Sequence, residues 1–145
     1  MARTYRSTFF GRLRDRIMAL MLSRGMAPPG IYLLTVTGRK TGIPRTTPVA
    51  PLEDAEGRWL VAPYGPDGWA RNARAAGRVT LRRGRTTESL AVTELPAAEA
   101  APILKRYLAE HPLTVGAYFD VKADAPLEAF AAEAARHPVF RLEPS

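Results

Sequence analysis

The chain contains no cysteine, which excludes disulfide staples, thiolate metal centres and a cysteine nucleophile. Histidine is nearly as scarce. His111 and His137 are the two present, each followed by proline and far apart in sequence, so a histidine-based metal or relay site has little to draw on. No metal site is expected. No apolar run approaches the roughly 20 residues that cross a bilayer. The apolar N-terminal residues are interrupted by Arg12, Arg14, Asp15 and Arg16, which argues against a signal peptide. A cytoplasmic location is expected. No pair of carboxylates and no hydroxyl–imidazole relay stands out. If the protein is an enzyme, its reactive chemistry is expected to come from a bound cofactor.

What is present is cationic and unevenly spread. The 145 residues have the length of one domain and carry a formal charge of +7. Residues 1–50 hold nine Arg and Lys against one acid, residues 51–95 seven against six, and residues 96–145 five against seven. A basic N-terminal third implies an anionic partner: nucleic acid, lipid headgroups or a phosphorylated small molecule. Arg outnumbers Lys, and Ala and Pro are abundant, as a GC-rich genome produces by itself, so the charge is discounted accordingly.

Phe9, Phe10, Leu13, Ile17, Leu20 and Met21 recur at helical spacing among arginines, predicting a basic amphipathic helix over residues 6–26. Ala27-Pro28-Pro29-Gly30 ends it. Residues 1–27 are this helix and residues 28–145 the remaining domain. The helix packs its stripe on the core or on a neighbouring subunit, or it contacts anionic membrane peripherally. Strands are predicted over residues 31–37, 45–52, 58–62, 79–82, 86–95 and 139–142. Helices are predicted over 69–76, 96–110 (split or kinked at Pro102) and 126–136. Strands that follow one another directly favour an antiparallel sheet, so the fold class is α+β: a mostly antiparallel, closed or nearly closed β-barrel with short helices on its outside.

Three segments carry the chemistry. Between the first two strands lies Gly38-Arg39-Lys40-Thr41-Gly42-Ile43-Pro44-Arg45-Thr46-Thr47-Pro48. Three cations, two glycines, threonine hydroxyls and no acid suit an anion, above all a phosphate; the bland alternative is a solvated hairpin tip. It is not a Walker loop, because no Gly-Lys-Ser/Thr opens a helix. The loop from Ala62 and Pro63 through Tyr64 and Gly65 to Gly68 runs straight into a helix that begins Trp69-Ala70-Arg71-Asn72. Helix N-termini attract anions, so two anion-favouring elements bracket one pocket if they face each other. Otherwise Trp69 is core and Asn72 surface. Arg71, Arg74, Arg78, Arg82, Arg83 and Arg85 form a third cluster, read as a solvated face. Aromatics that could stack on bases are missing from it, which disfavours nucleic acid. Tyr118 and Phe119 either join the core or wall a substrate pocket.

These segments resemble the deazaflavin-dependent nitroreductase family, actinobacterial-type oxidoreductases of the FMN-binding split-barrel fold. The resemblance rests on the stretch from Leu34 to Pro48, on Leu60-Val61-Ala62 with its glycine loop, on the segment from Trp69 to Gly77, and on His137-Pro138-Val139-Phe140-Arg141-Leu142. It covers roughly residues 30–142. It implies coenzyme F420 as hydride donor, with FMN as the alternative. Arg39, Lys40 and Arg45 would hold the anionic tail, and Thr46, Thr47 and Pro48 would lie along the ring. Ala62, Pro63, Tyr64, Gly65 and Gly68 would wrap the phosphate, buttressed by Trp69 and Asn72. Hydride would pass to an electron-poor small molecule (quinone, enone or nitro compound), with Tyr118 or Tyr64 as candidate proton donors. Ala70 follows the tryptophan where the nitro-prodrug reducers carry tyrosine, and residues 113–120 are poorer in tyrosine than theirs. The competing class is a non-catalytic binder of F420, haem or a fatty acid. Monomer and homodimer both fit.

Overall fold

The computed structural model describes residues 30–63, 65–66, 68–111, 116 and 119–144. The expected helix at 6–26, Tyr64 and Tyr118 lie outside the described residues. The elements run β1 (Tyr32–Thr37), β2 (Pro44–Val49), β3 (Leu52–Asp54), β4 (Gly57–Val61), α1 (Trp69–Ala76), β5 (Arg78–Arg83), β6 (Thr86–Glu94), α2 (Ala97–Glu110), α3 (Leu127–Glu133) and β7 (Val139–Pro144).

The strands form a single sheet in the order β2-β1-β5-β6-β7-β4-β3, and every pairing is antiparallel. The two edge strands, β2 and β3, are separated only by Ala50 and Pro51. Three peptide steps span at most about 11 Å, so the chain itself ties the two edges together and the sheet has to curl into a split barrel. Residues 45–52 were expected to form one strand. Pro51 has no N–H for a ladder, and the chain changes partner there, from β1 to β4. The second correction concerns the expected split of α2 at Pro102. The helix runs unbroken through Pro102, which is exposed, while Ala100, Ala101, Leu104, Tyr107 and Leu108 on its inner side are buried. A proline facing solvent forfeits one helical hydrogen bond, and the packed face holds the helix together.

Strand alternation sorts the apolar residues into two cores. Trp59, Val61 and Val139 point outward and meet Leu104, Tyr107, Leu108 and Phe130 of α2 and α3. Leu60 and Phe140, one residue out of phase, point inward and meet Leu34, Val36, Val79, Leu81 and Leu90. Phe119 belongs to the helix-side core, so its reading as a core aromatic holds. Ala70 and Ala73 of α1 join the inner core, which brings α1 against the barrel beside the β1–β2 hairpin.

Candidate functional site

The hairpin closes on glycine. The Gly38 N–H donates to the Ile43 carbonyl at 2.9 Å, and the Gly42 N–H donates to the Gly38 carbonyl at 2.9 Å. Gly42 sits at φ +71°, where a side chain is strained. A Cβ on Gly38 would lie 3.0 Å from the Ile43 carbonyl oxygen and 3.0 Å from Thr41 Oγ1. Arg45 folds back over this neck, with Nε 3.8 Å from the same point. Arg39, Lys40 and Arg45 are thus held around one turn and exposed.

Asn72 joins this turn to α1. Its side-chain oxygen accepts from the Arg39 backbone N–H at 3.0 Å and from Arg39 Nη1 at 2.9 Å. Asn72 is only 5% exposed, so it is an internal link and not a surface residue. It is the fourth residue of α1, and the hairpin therefore lies against the first turn of that helix. The helix starts at Gly68 (φ +74°), with no side chain capping its first amides and no acid in its first turn. Behind it the Trp69 ring packs on Phe140 with centroids 5.7 Å apart. The preceding loop is anchored by the Ala62 N–H on the Pro138 carbonyl at 2.9 Å, and Gly65 N–H approaches the Ala62 carbonyl at 3.4 Å. Ala62 and Pro63 are buried.

Register separates the three residues after Arg45. Leu34 faces Thr47 and Val36 faces Arg45, so Arg45 and Thr47 share the inner face. Thr46 bonds the Thr35 hydroxyl at 2.8 Å on the outer face, and Pro48 points the same way opposite Leu33. The side chains of Thr46, Thr47 and Pro48 therefore do not share one face.

Among the described residues several arginines are held by carboxylates, whereas the hairpin cations, like Arg78 and Arg85, are not. Arg58 pairs with Glu53 and Glu88, Arg74 with Glu94, Arg106 with Asp54 and Glu110, and Arg136 with Asp120 and Glu133. Burial lowers the pKa of the Arg58 guanidinium, but the charges of Glu88 and Glu53 and hydrogen bonds to both outweigh it, and the net direction is up. Among the described residues no carboxylate pairs with Arg39, Lys40 or Arg45. Positive charge without a paired carboxylate, beside a helix start with no side-chain cap, suits an anionic ligand. Within the third arginine cluster, Arg74 lies on Glu94, Arg82 bonds the Gly84 carbonyl and Arg83 the Ile31 carbonyl. Those three cations serve the fold.

One buried polar group escaped the sequence reading. Glu133 and His137 are both buried, 3.4 Å apart. Glu133 accepts from the Asp120 N–H at 2.8 Å, and Phe119 stacks on His137 with centroids 4.0 Å apart. The i,i+4 spacing of Glu133 and His137 was the available signal. Among the described residues no cluster of three or more His, Asp or Glu could hold a metal ion, and no helix is long and apolar enough to cross a membrane.

A curled antiparallel sheet, with a cationic hairpin latched to the first turn of a short helix, defines a split-barrel protein. Residues 14–126 match the family described as F420H2-dependent quinone reductase, and the chain belongs to that family. It is an F420-dependent oxidoreductase. Among solved structures it is similar to an F420-H2-dependent reductase, FDR-A, with 25% identity and a TM-score of 0.53 over 79% of this chain and 95% of that one. A structure described as a domain-swapped dimer shares 22% identity, with a TM-score of 0.56 over 94% of this chain and 100% of that one. The haem storage protein HutZ of Vibrio cholerae shares 11% identity, with a TM-score of 0.55 over 90% and 88% of the two chains. These last two likenesses show the fold alone. None of the curated proteins matches the sequence.

Proposed function

We propose that the chain reduces an electron-poor small molecule of quinone, enone or nitro type, and that it holds coenzyme F420 by the cationic hairpin. The observation that carries this reading is the absence, among the described residues, of any carboxylate paired with Arg39, Lys40 or Arg45 beside an uncapped helix start. When bound, reduced F420 supplies the hydride. The protein's residues supply position and field. Arg39, Lys40 and Arg45 bind the anionic tail. The backbone of the loop from Ala62 to Gly68 offers amides to the phosphate, and Arg45 and Thr47 line the inner face. Trp69, packed on Phe140, fixes where α1 begins. The acceptor is protonated by solvent or by the hydroxyl of Tyr64 or Tyr118.

A quinone acceptor is favoured by the family's description. Nitro reduction rests on the resemblance in sequence alone. Homodimer formation and peripheral membrane contact through residues 6–26 remain part of the proposal, and liposome co-sedimentation with and without residues 1–27 tests the latter. The functional reading is tested by titrating the protein with F420, FMN and haem. Saturable F420 binding, followed by protein-dependent oxidation of reduced F420 by a quinone, supports it. Saturable FMN or haem binding with none for F420 overturns it, and F420 binding without turnover of any acceptor converts the protein into a carrier.

A further inference from the structure

We infer that Asn72 is a positioning residue for the cofactor site, acting through Arg39 and not by touching the ligand. This rests on the reading of the hairpin as the site of the cofactor's anionic tail. Asn72 Oδ1 takes two donors from one residue: the Arg39 backbone N–H at 3.0 Å and Arg39 Nη1 at 2.9 Å. The first bond fixes where the hairpin leaves β1. The second fixes where the Arg39 side chain returns. A carbonyl oxygen accepts through two lone pairs, so this one is fully used, and Asn72 is 95% out of solvent on α1.

The consequence lies in what Arg39 has left. A guanidinium offers five N–H donors in a rigid plane. With one Nη1 hydrogen on Asn72, the Nε–Nη2 edge keeps its two parallel donors. Those donors have no partner among the described residues. Two parallel N–H groups are the geometry that takes one carboxylate or phosphate in bidentate fashion. Asn72 therefore selects, from the many rotamers of an exposed arginine, one that presents a bidentate edge. A lysine at position 39 would keep the charge but has no rigid pair of parallel N–H groups to offer a two-oxygen acceptor while it serves Asn72. Lys40 and Arg45 have no such tether among the described residues, so they act as untethered charges while Arg39 sets direction.

The test is a double-mutant cycle read by F420 titration of the full chain, with thermal unfolding followed in parallel. Arg39→Ala is expected to weaken F420 binding about 10- to 100-fold, the range for losing charge-assisted hydrogen bonds. Asn72→Ala is expected to weaken it about tenfold in the wild-type background and less than about twofold in the Arg39→Ala background, because the two act as one unit. An equal Asn72→Ala loss in both backgrounds overturns the inference. Arg39→Lys, at an exposed position, covers the case in which Asn72→Ala fails to fold. It is expected to bind F420 nearly as weakly as Arg39→Ala, and wild-type affinity for it overturns the inference as well. Wild-type affinity for Arg39→Ala itself counts against the hairpin as the tail site, which is a separate failure.

Discussion

Replacing Gly38 with alanine tests the hairpin's geometry at its tightest point. Space and not backbone strain opposes the added methyl. It meets the Ile43 carbonyl oxygen and Thr41 Oγ1, each at 3.0 Å, a few tenths of an ångström inside ordinary contact. Thr41 can rotate away. The Ile43 carbonyl cannot, because it accepts the 2.9 Å bond that closes the turn. Overpacking of this kind costs about 1–3 kcal/mol. At an exposed hairpin we take the lower part, about 1–2 kcal/mol, which lowers Tm by about 3–8 °C for a chain of this size. The displaced neck carries Arg39 and Arg45 with it, so F420 affinity falls about tenfold, equivalent to about 1.4 kcal/mol. Gly42→Ala is the control. It has open space around it but φ +71°, so it costs about 1 kcal/mol of left-handed strain without moving the neck, and F420 affinity stays within about threefold of wild type. Thermal unfolding and fluorescence titration measure both. Wild-type Tm and affinity for Gly38→Ala would refute the description of the neck.

Three further expectations follow from other parts of the molecule. Phe130→Ala empties a fully buried position between α3 and the sheet and destabilises by about 3–5 kcal/mol, measured by urea unfolding; a loss below about 1 kcal/mol would contradict the helix-side core. Arg58→Met removes the bridge between Glu53 and Glu88 at a cost of about 1 kcal/mol, shrinking in high salt. The raised Arg58 pKa means its contribution is lost only as pH climbs above the arginine range, so the difference between wild type and variant is flat from about pH 6 to pH 9; a difference that changes across that interval would count against the pairing. Simultaneous Arg39→Ala, Lys40→Ala and Arg45→Ala removes three exposed cations; with about 1.4–2.7 kcal/mol for Arg39 and about 1 kcal/mol each for the other two, it weakens F420 binding at least about 300-fold.

The strands and the short helix were legible because their signals are local. β1 is a β-branched run ending at a glycine, and α1 lies between Gly68 and Gly77, with Gly77 closing it in the left-handed region by donating to the Ala73 carbonyl. The cationic cluster was legible from composition, since three cations without an acid are visible in any reading. What needed three dimensions was partnership. Asn72 looked like a surface residue or a buttress, because nothing local says its oxygen meets the Arg39 backbone 33 residues away. Thr46 and Thr47 adjoin in the sequence, but the register puts Thr46 against Thr35 on the outer face and Thr47 against Leu34 on the inner one. Pro51 was visible in the sequence, but its effect depends on β4 waiting on the other side. The buried Glu133–His137 pair was hidden for the same reason. Its burial depends on Phe119 and Asp120, which arrive from before the helix.

The central claim is that this cationic hairpin serves an F420-dependent reductase acting on an electron-poor acceptor. The most direct measurement mixes the purified protein with reduced F420 and a quinone under anaerobic conditions and follows the return of oxidised F420. The account predicts protein-dependent, saturable oxidation of reduced F420 matched by quinone reduction and lost in the Arg39, Lys40 and Arg45 triple alanine variant. Oxidation that proceeds equally well in that variant, or no protein-dependent oxidation alongside saturable FMN binding, would contradict it.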